Sequence, residues 1–213
     1  YLAKKYNIEV VEKEESAEDI AKRQRNESLI LVSEFAGKFF QDSLKTPEGQ
    51  VVGYQYFRSR ALEDETIRKY GLGWAPIDRT AFITAAKAAG YKEEYLLDTG
   101  LCKKYDDGRV VDTFHDRVIF PIHSVSGRVI AFGGRTVKKD ADTAKYLNSP
   151  ETLIFNKRKN LFGLNLAKKS KLGYLILVEG YMDAIALHQY GFDCAVASLG
   201  TALTEDGAAL LTR

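Results

Sequence analysis

Tyr174-Leu175-Ile176-Leu177-Val178-Glu179-Gly180-Tyr181-Met182-Asp183 is the stretch whose reading decides the fold. Its first five residues are apolar, too few for a helix and closed by an acid and a glycine, which predicts a buried strand running from Tyr174 to Val178. Gly180 marks a turn, and a helix is expected from Tyr181 to Tyr190. A second strand follows over Cys194 to Leu199, then a turn at Gly200 and a helix from Thr204 onward. Strand, helix, strand, helix with connections of a few residues is the pattern of a parallel α/β sheet. Such sheets bind ligands at the carboxyl ends of their strands, where Glu179 stands. Asp183, four residues on, falls in the first turn of the following helix, so both carboxylates can face one crevice. Paired acids there suit a divalent cation and a proton acceptor for phosphoryl chemistry, because Mg²⁺ takes a few carboxylate oxygens and keeps water and phosphate as its other ligands. The spacing leaves a second reading open, in which Asp183 complements the helix dipole and Glu179 is a solvated strand end. Ser198-Leu199-Gly200-Thr201 closes the next strand on the same edge and would bring backbone N–H groups near a phosphate.

Upstream the grammar is different. Residues 1 to 28 carry opposite-sign clusters, Glu12 to Glu15 and Lys22 to Arg25, and read as a linker or a solvated helix. Val32, Phe35, Ala36, Phe39, Phe40 and Leu44 recur at helical spacing, which predicts a core-facing helix ended by Thr46-Pro47-Glu48-Gly49. Two short helices are expected in 51 to 70, the second opening near Glu63-Asp64-Glu65. Gly71 to Pro76 breaks the pattern, and 79 to 90 resumes it. Asp106-Asp107-Gly108 is a hairpin signal. Arg117 to Ile122 and Arg128 to Phe132 read as strands of a small sheet, and Asn160 to Lys171 as a basic helix. The fold class is therefore α/β: an α+β first part, then a parallel α/β part. The corresponding domains are a linker at 1–28, a basic body at 29–171, and the start of the parallel unit at 172–213.

Composition sets outer bounds. The 213 residues are 45% hydrophobic and 28% charged, as in an ordinary folded chain. The net charge of +2 conceals an asymmetry: Cys102 to Lys171 holds 15 Lys/Arg against 7 Asp/Glu, and the remainder 16 against 22. Two cysteines 92 positions apart offer neither a disulfide framework nor a zinc site, and a reducing, cytoplasmic setting is the default. No apolar run approaches the roughly 20 residues needed to cross a bilayer. The chain opens at Tyr1 without Met and stops at Arg213 inside an expected helix, so it is expected to be a piece of a longer protein. His115, His123 and His188 are assigned to packing or surface, and Trp74 to the core.

Val178-Glu179-Gly180-Tyr181-Met182-Asp183 resembles the glutamate motif of the Toprim fold, shared by primases and topoisomerases. Three upstream blocks resemble bacterial DnaG-type DNA primases: Arg117-Val118-Ile119-Phe120-Pro121-Ile122, Gly127 to Arg135, and Lys145-Tyr146-Leu147-Asn148-Ser149-Pro150-Glu151-Thr152. Ala195 to Thr201 continues the match. The resemblance is close over 114 to 204 and looser through Tyr56 to Pro76. It implies a catalytic core that makes short RNA primers on single-stranded DNA from ribonucleoside triphosphates. Glu179 is then the catalytic acid/base, and Asp183 joins it at a site for Mg²⁺ or Mn²⁺. Arg117, Arg135, Lys145, Tyr146, Asn148 and Lys157, with Arg60 from the helical part, form a basic groove for template and nucleotide. Cations on phosphates and an exposed Tyr under an unpaired base support those roles chemically. The two glycines before Arg135 are expected to allow close approach of a strand or triphosphate.

The resemblance further implies a zinc module before this region, a module beyond it that meets the replicative helicase, an RNA primer as product, and no membrane partner. The family's Asp-x-Asp motif would lie past Arg213, so this stretch alone is expected not to synthesise primers. The rival readings are a phage-type primase-helicase core, another Toprim enzyme such as a topoisomerase or nuclease, and a non-catalytic nucleic-acid-binding module.

Overall fold

Ser16 accepts a hydrogen bond from the Asp19 backbone N–H at 3.1 Å and so starts helix α1, Ala17–Ser43. The computed structural model describes residues 16–138, 143–200 and 207–209, and all structural statements concern these. The first nine residues of α1 are exposed, and the helix continues without a break into the part that buries Leu29, Val32, Ala36 and Phe40. Residues 17–28 are thus a solvated helix continuous with the core-facing one, while 1–15 lie outside the described residues. After α1, Pro47–Gly49 makes one helical turn capped by Thr46, a π-helix spans Gln50–Tyr54, and α2 (Gln55–Ser59) and α3 (Asp64–Tyr70) follow. Gly71, at φ 63°, ends α3 in the left-handed conformation that favours glycine.

Strand β1, Gly73–Ala75, lies where the sequence showed only an interruption, since three residues are too few to display a period. Its Trp74 is fully buried and donates its indole N–H to the Glu48 carboxylate at 2.6 Å. Helices α4 (Ala81–Ala88) and α5 (Glu93–Asp98) lead to the hairpin of β2 (Cys102–Lys104) and β3 (Val110–Asp112), turned at Asp106-Asp107-Gly108 as expected.

Strands β4 (Arg117–His123), β5 (Val129–Thr136) and β6 (Tyr146–Asn148) join β1 in an antiparallel sheet of order β1-β4-β5-β6. Ile119 and Phe132 pack with Val32, Ala36 and Phe40 of α1 and Phe82 of α4 on one face. Val118, Phe120 and Ile122 pack with Trp74, Phe57, Tyr70, Phe162 and Tyr181 on the other. Both faces are covered, which is why Arg117 to Ile122 is a continuous buried run and does not alternate.

The basic helix expected over 160–171 is shorter. Lys157–Lys159 forms a 3-10 turn, and only Leu164–Ala167 (α6) is α-helical. Phe162 explains the difference: its N–H and C=O pair with Ala197 as a β-bridge, 2.9 and 3.0 Å, so they are withdrawn from any helix. Strand β7 (Ile176–Val178), helix α7 (Tyr181–Gln189) and strand β8 (Ala195–Ala197) then form the parallel unit, with Ile176 opposite Ala195. The run around β7 was expected to be buried, yet Leu177 is 39% exposed and Tyr174 is exposed as well. The reason is position: β8 sits between β7 and Phe162, leaving β7 as the outer strand among the described residues. Residues 207–209 are helical; the rest of the helix expected from Thr204, and Thr201, lie outside the described residues. Among the described residues no helix is long and apolar enough to cross a membrane.

Candidate functional site

Glu179 follows β7 directly, and Gly180, in extended conformation, turns the chain into α7. Asp183 lies in the first turn of that helix, whose start has no side-chain cap. Gly180 is required for this arrangement. A Cβ built on it would stand 2.7 Å from Asp183 Oδ2, so the carboxylate occupies the space that glycine leaves open. Both acids are exposed.

Tyr181 ties this turn to the antiparallel sheet. Phe120, Gly133 and Asn148 form one row across β4, β5 and β6, and the Tyr181 ring lies along it. It is 5.4 Å from the Phe120 ring and so close to Gly133 that a Cβ there would come within 2.4 Å of it. Its hydroxyl donates to Asn148 Oδ1 at 2.7 Å, and Asn148 Nδ2 donates to Leu199 O, beyond β8, at 3.2 Å. Burial pushes the Tyr181 phenol above its usual range, so it remains a donor. One hydrogen-bonded chain therefore spans the sheet, the acid turn and the end of β8.

The result is a pocket of about 330 Å³ lined by Tyr146 and Asn148 of the sheet, Glu179, Gly180, Tyr181 and Asp183 of the acid turn, and Ser198 and Gly200 beyond β8. Four of the residues expected from the sequence meet there, and so does the second glycine turn.

The adjacent row carries the cations. Arg135 and Tyr146 are directly opposed on β5 and β6, with the guanidinium carbon 5.7 Å from the Tyr146 ring centroid. It is also 4.7 Å from the centre of the ring of Tyr56, on α2, and Arg60 lies 5.5 Å from that same ring. Burial raises the Tyr56 phenol pKa against the opposing pull of Arg135 and Arg60. Lys145 is exposed beside Tyr146. Tyr56 and Tyr181 were not singled out from the sequence. The only available signals were their places beside Arg60 and inside the glutamate motif.

Arg117 is placed differently from the expectation. Residues 117 and 119 point to the face opposite that of 118 and 120, so Arg117 lies behind the sheet, packed on Gly134 and 6% exposed. Its guanidinium donates to the carbonyls of Ala144 at 2.9 Å and Lys145 at 3.5 Å, holding the entry to β6 from beneath. Burial lowers its pKa. The two glycines likewise admit side chains of this chain, Tyr181 over Gly133 and Phe114 with Arg117 over Gly134, where close approach of a ligand was expected. Lys157 is half-buried at the start of the 3-10 turn and does not line the pocket.

A parallel strand ending in an acid, a glycine turn and a second acid on the next helix, set against a basic antiparallel sheet, is the arrangement of the Toprim class that the sequence resembles. Residues 39–168 match the DNA primase catalytic core N-terminal domain, and residues 173–213 the Toprim domain. The chain belongs to the DnaG-type DNA primase catalytic core family. A DNA primase of Clostridium acetobutylicum is 42% identical over 214 positions, covering the whole of this chain and 35% of the relative. The solved DnaG primase catalytic domain bound to ssDNA is 41% identical, with a TM-score of 0.81 over 90% of this chain and 61% of that one. The RNA polymerase domain of Mycobacterium tuberculosis primase, solved with a DNA oligomer, is 34% identical, with a TM-score of 0.82 over 87% and 58%. The chain spans about a third of the length of the curated relatives it matches.

Proposed function

We propose that this chain supplies the template and nucleotide groove and the acidic centre of an RNA-primer-synthesising nucleotidyltransferase, acting on single-stranded DNA with ribonucleoside triphosphates. The observation that carries this reading is the shared pocket. Tyr146 and Asn148, from the basic sheet, and Glu179 and Asp183, from the acid turn, line one cavity of about 330 Å³.

In the proposed reaction the 3′-hydroxyl of the growing RNA attacks the α-phosphorus of the incoming triphosphate, and pyrophosphate leaves. Glu179 takes the hydroxyl proton. Asn148, itself held by Tyr181, orients groups at the sheet side of the pocket, and Tyr146 offers a ring for base stacking. Arg135, Arg60, Lys145 and Lys157 neutralise phosphates along the groove, and Arg117 shapes it from behind.

Glu179 and Asp183 fit a hard divalent cation. They are two exposed carboxylates on one wall, and among the described residues no three His, Cys, Asp or Glu side chains form a closed cage. Such a cation, Mg²⁺ or Mn²⁺, would supply charge neutralisation at the reacting phosphates. The division into a basic body, which the unbroken α1 enters from Ala17, and a Toprim part from 172 belongs to this proposal. So do the RNA primer, a cytoplasmic location, a zinc module and a helicase-binding module elsewhere in the protein.

Glu179→Gln in the full-length protein tests the reading. Primer synthesis on a single-stranded template is expected to fall by at least two orders of magnitude, while binding of the oligonucleotide stays within about twofold. Wild-type synthesis would remove Glu179 from the mechanism, whereas template binding with no primer synthesis by the unsubstituted full-length protein would favour a non-catalytic binding module.

A further inference from the structure

We infer that Tyr56 is a positioning residue for Arg135, holding its guanidinium in the plane from which it grips a phosphate; this rests on the groove proposed above. The four side chains Arg60, Tyr56, Arg135 and Tyr146 alternate cation and ring, at 5.5, 4.7 and 5.7 Å. Tyr56 is the member that touches both cations, and it comes from α2, far in sequence from β5 and β6.

An arginine side chain on a strand is long, and immobilising it costs conformational entropy. The two rings beside Arg135 offset that cost in advance, because each attracts the cation through its quadrupole. The guanidinium then offers its donors within its own plane. Its Nε–H is buried and has no hydrogen-bond partner in the protein. Arg135 as a whole is only half-buried, so the remainder of its fork can meet an oxyanion arriving in the guanidinium plane. Phosphate oxygens are the chemistry that matches a fixed, planar fork, whether they belong to the template backbone or to a triphosphate.

The two sources are separated by measuring oligo(dT) binding with its salt dependence, and the KM and kcat for nucleotide, in the full-length protein. Tyr56→Leu and Tyr56→Met, which fill the space without a π face, are expected to weaken one of the two by roughly three- to ten-fold. kcat should change little, and Tyr56→Phe should restore the loss. A strand phosphate shows as weaker oligonucleotide binding with a salt slope reduced by about one; a triphosphate shows as a raised KM. Combined with Arg135→Ala, either Tyr56 variant should add nothing further. Additive losses, or Tyr56→Phe as defective as Tyr56→Leu, overturn the positioning role. If Arg135→Ala weakens binding while folded Tyr56→Leu and Tyr56→Met do not, this inference fails and the groove stands. If Arg135→Ala changes neither quantity, the groove assignment of Arg135 fails and this inference with it.

Discussion

Asp183 reaches the pocket because nothing stands on the α-carbon of Gly180, and that dependence is directly testable. Gly180→Ala puts a methyl group 2.7 Å from the present position of Asp183 Oδ2, but the clash is with the end of a flexible side chain, so the fold should survive. Primer synthesis is expected to fall on the order of ten- to hundred-fold through misplacement of the carboxylate, with a melting temperature close to wild type. Arg117 and Arg135 make the opposite contrast. Arg117→Ala removes the donor to the Ala144 carbonyl at the entry to β6 and the side chain packed on Gly134, while the Lys145 carbonyl keeps the Thr136 N–H, and should cost about 1 to 3 kcal/mol of stability in a denaturant titration. Arg135→Ala should instead leave stability nearly unchanged and lower the salt slope of single-strand binding by about one. The residue types were legible in the sequence, since Lys, Arg and Tyr are concentrated between Cys102 and Lys171. Which arginine faces the groove depends on strand parity, and that requires the register Val118 to Arg135 to Tyr146.

Among the strand glycines, Gly133 of β5 has the closest packing. Gly133 sits under the Tyr181 ring, which has no room to retreat beneath Phe162 and Phe120. Gly133→Ala should destabilise the protein by about 1 to 3 kcal/mol. It should also reduce primer synthesis further than the stability loss explains, because the Tyr181 to Asn148 hydrogen bond is displaced with the ring. Chemical denaturation and synthesis assayed on the remaining folded protein check the two parts. Strands β4, β5, β7 and β8 and helices α1, α3, α4 and α7 were legible because each has a run or a period of its own. Strand β1 was not, because three residues display neither. A helix around α6 was legible but its short extent was not, because a distant partner, Ala197, takes the hydrogen-bonding groups of Phe162.

The whole molecule is held partly by a buried acid with no part in the pocket. Both oxygens of Asp112 accept N–H groups at the start of α4, from Phe82 at 2.8 Å and Ile83 at 2.9 Å, and burial raises its pKa to about 6. A carboxyl whose folded pKa lies above its unfolded value contributes stability below the unfolded pKa, near 4, and loses it as pH rises through the folded one. The melting temperature of wild type minus that of Asp112→Asn should therefore decrease from about pH 4 to pH 7; a difference that is flat or rises would refute the assignment. What the sequence by itself determined is local: the strand, acid, glycine, helix, acid order, the antiparallel body, and the family these residues resemble. The joining of the two halves belongs to the tertiary structure alone. Tyr181 crossing to Gly133 and Asn148, Tyr56 meeting Arg135, and Phe162 pairing with Ala197 bring together residues 33 to 79 positions apart. Spacing encodes only which residues share a helix face or a strand side, whereas these contacts follow from how separate elements exclude water by packing on one another.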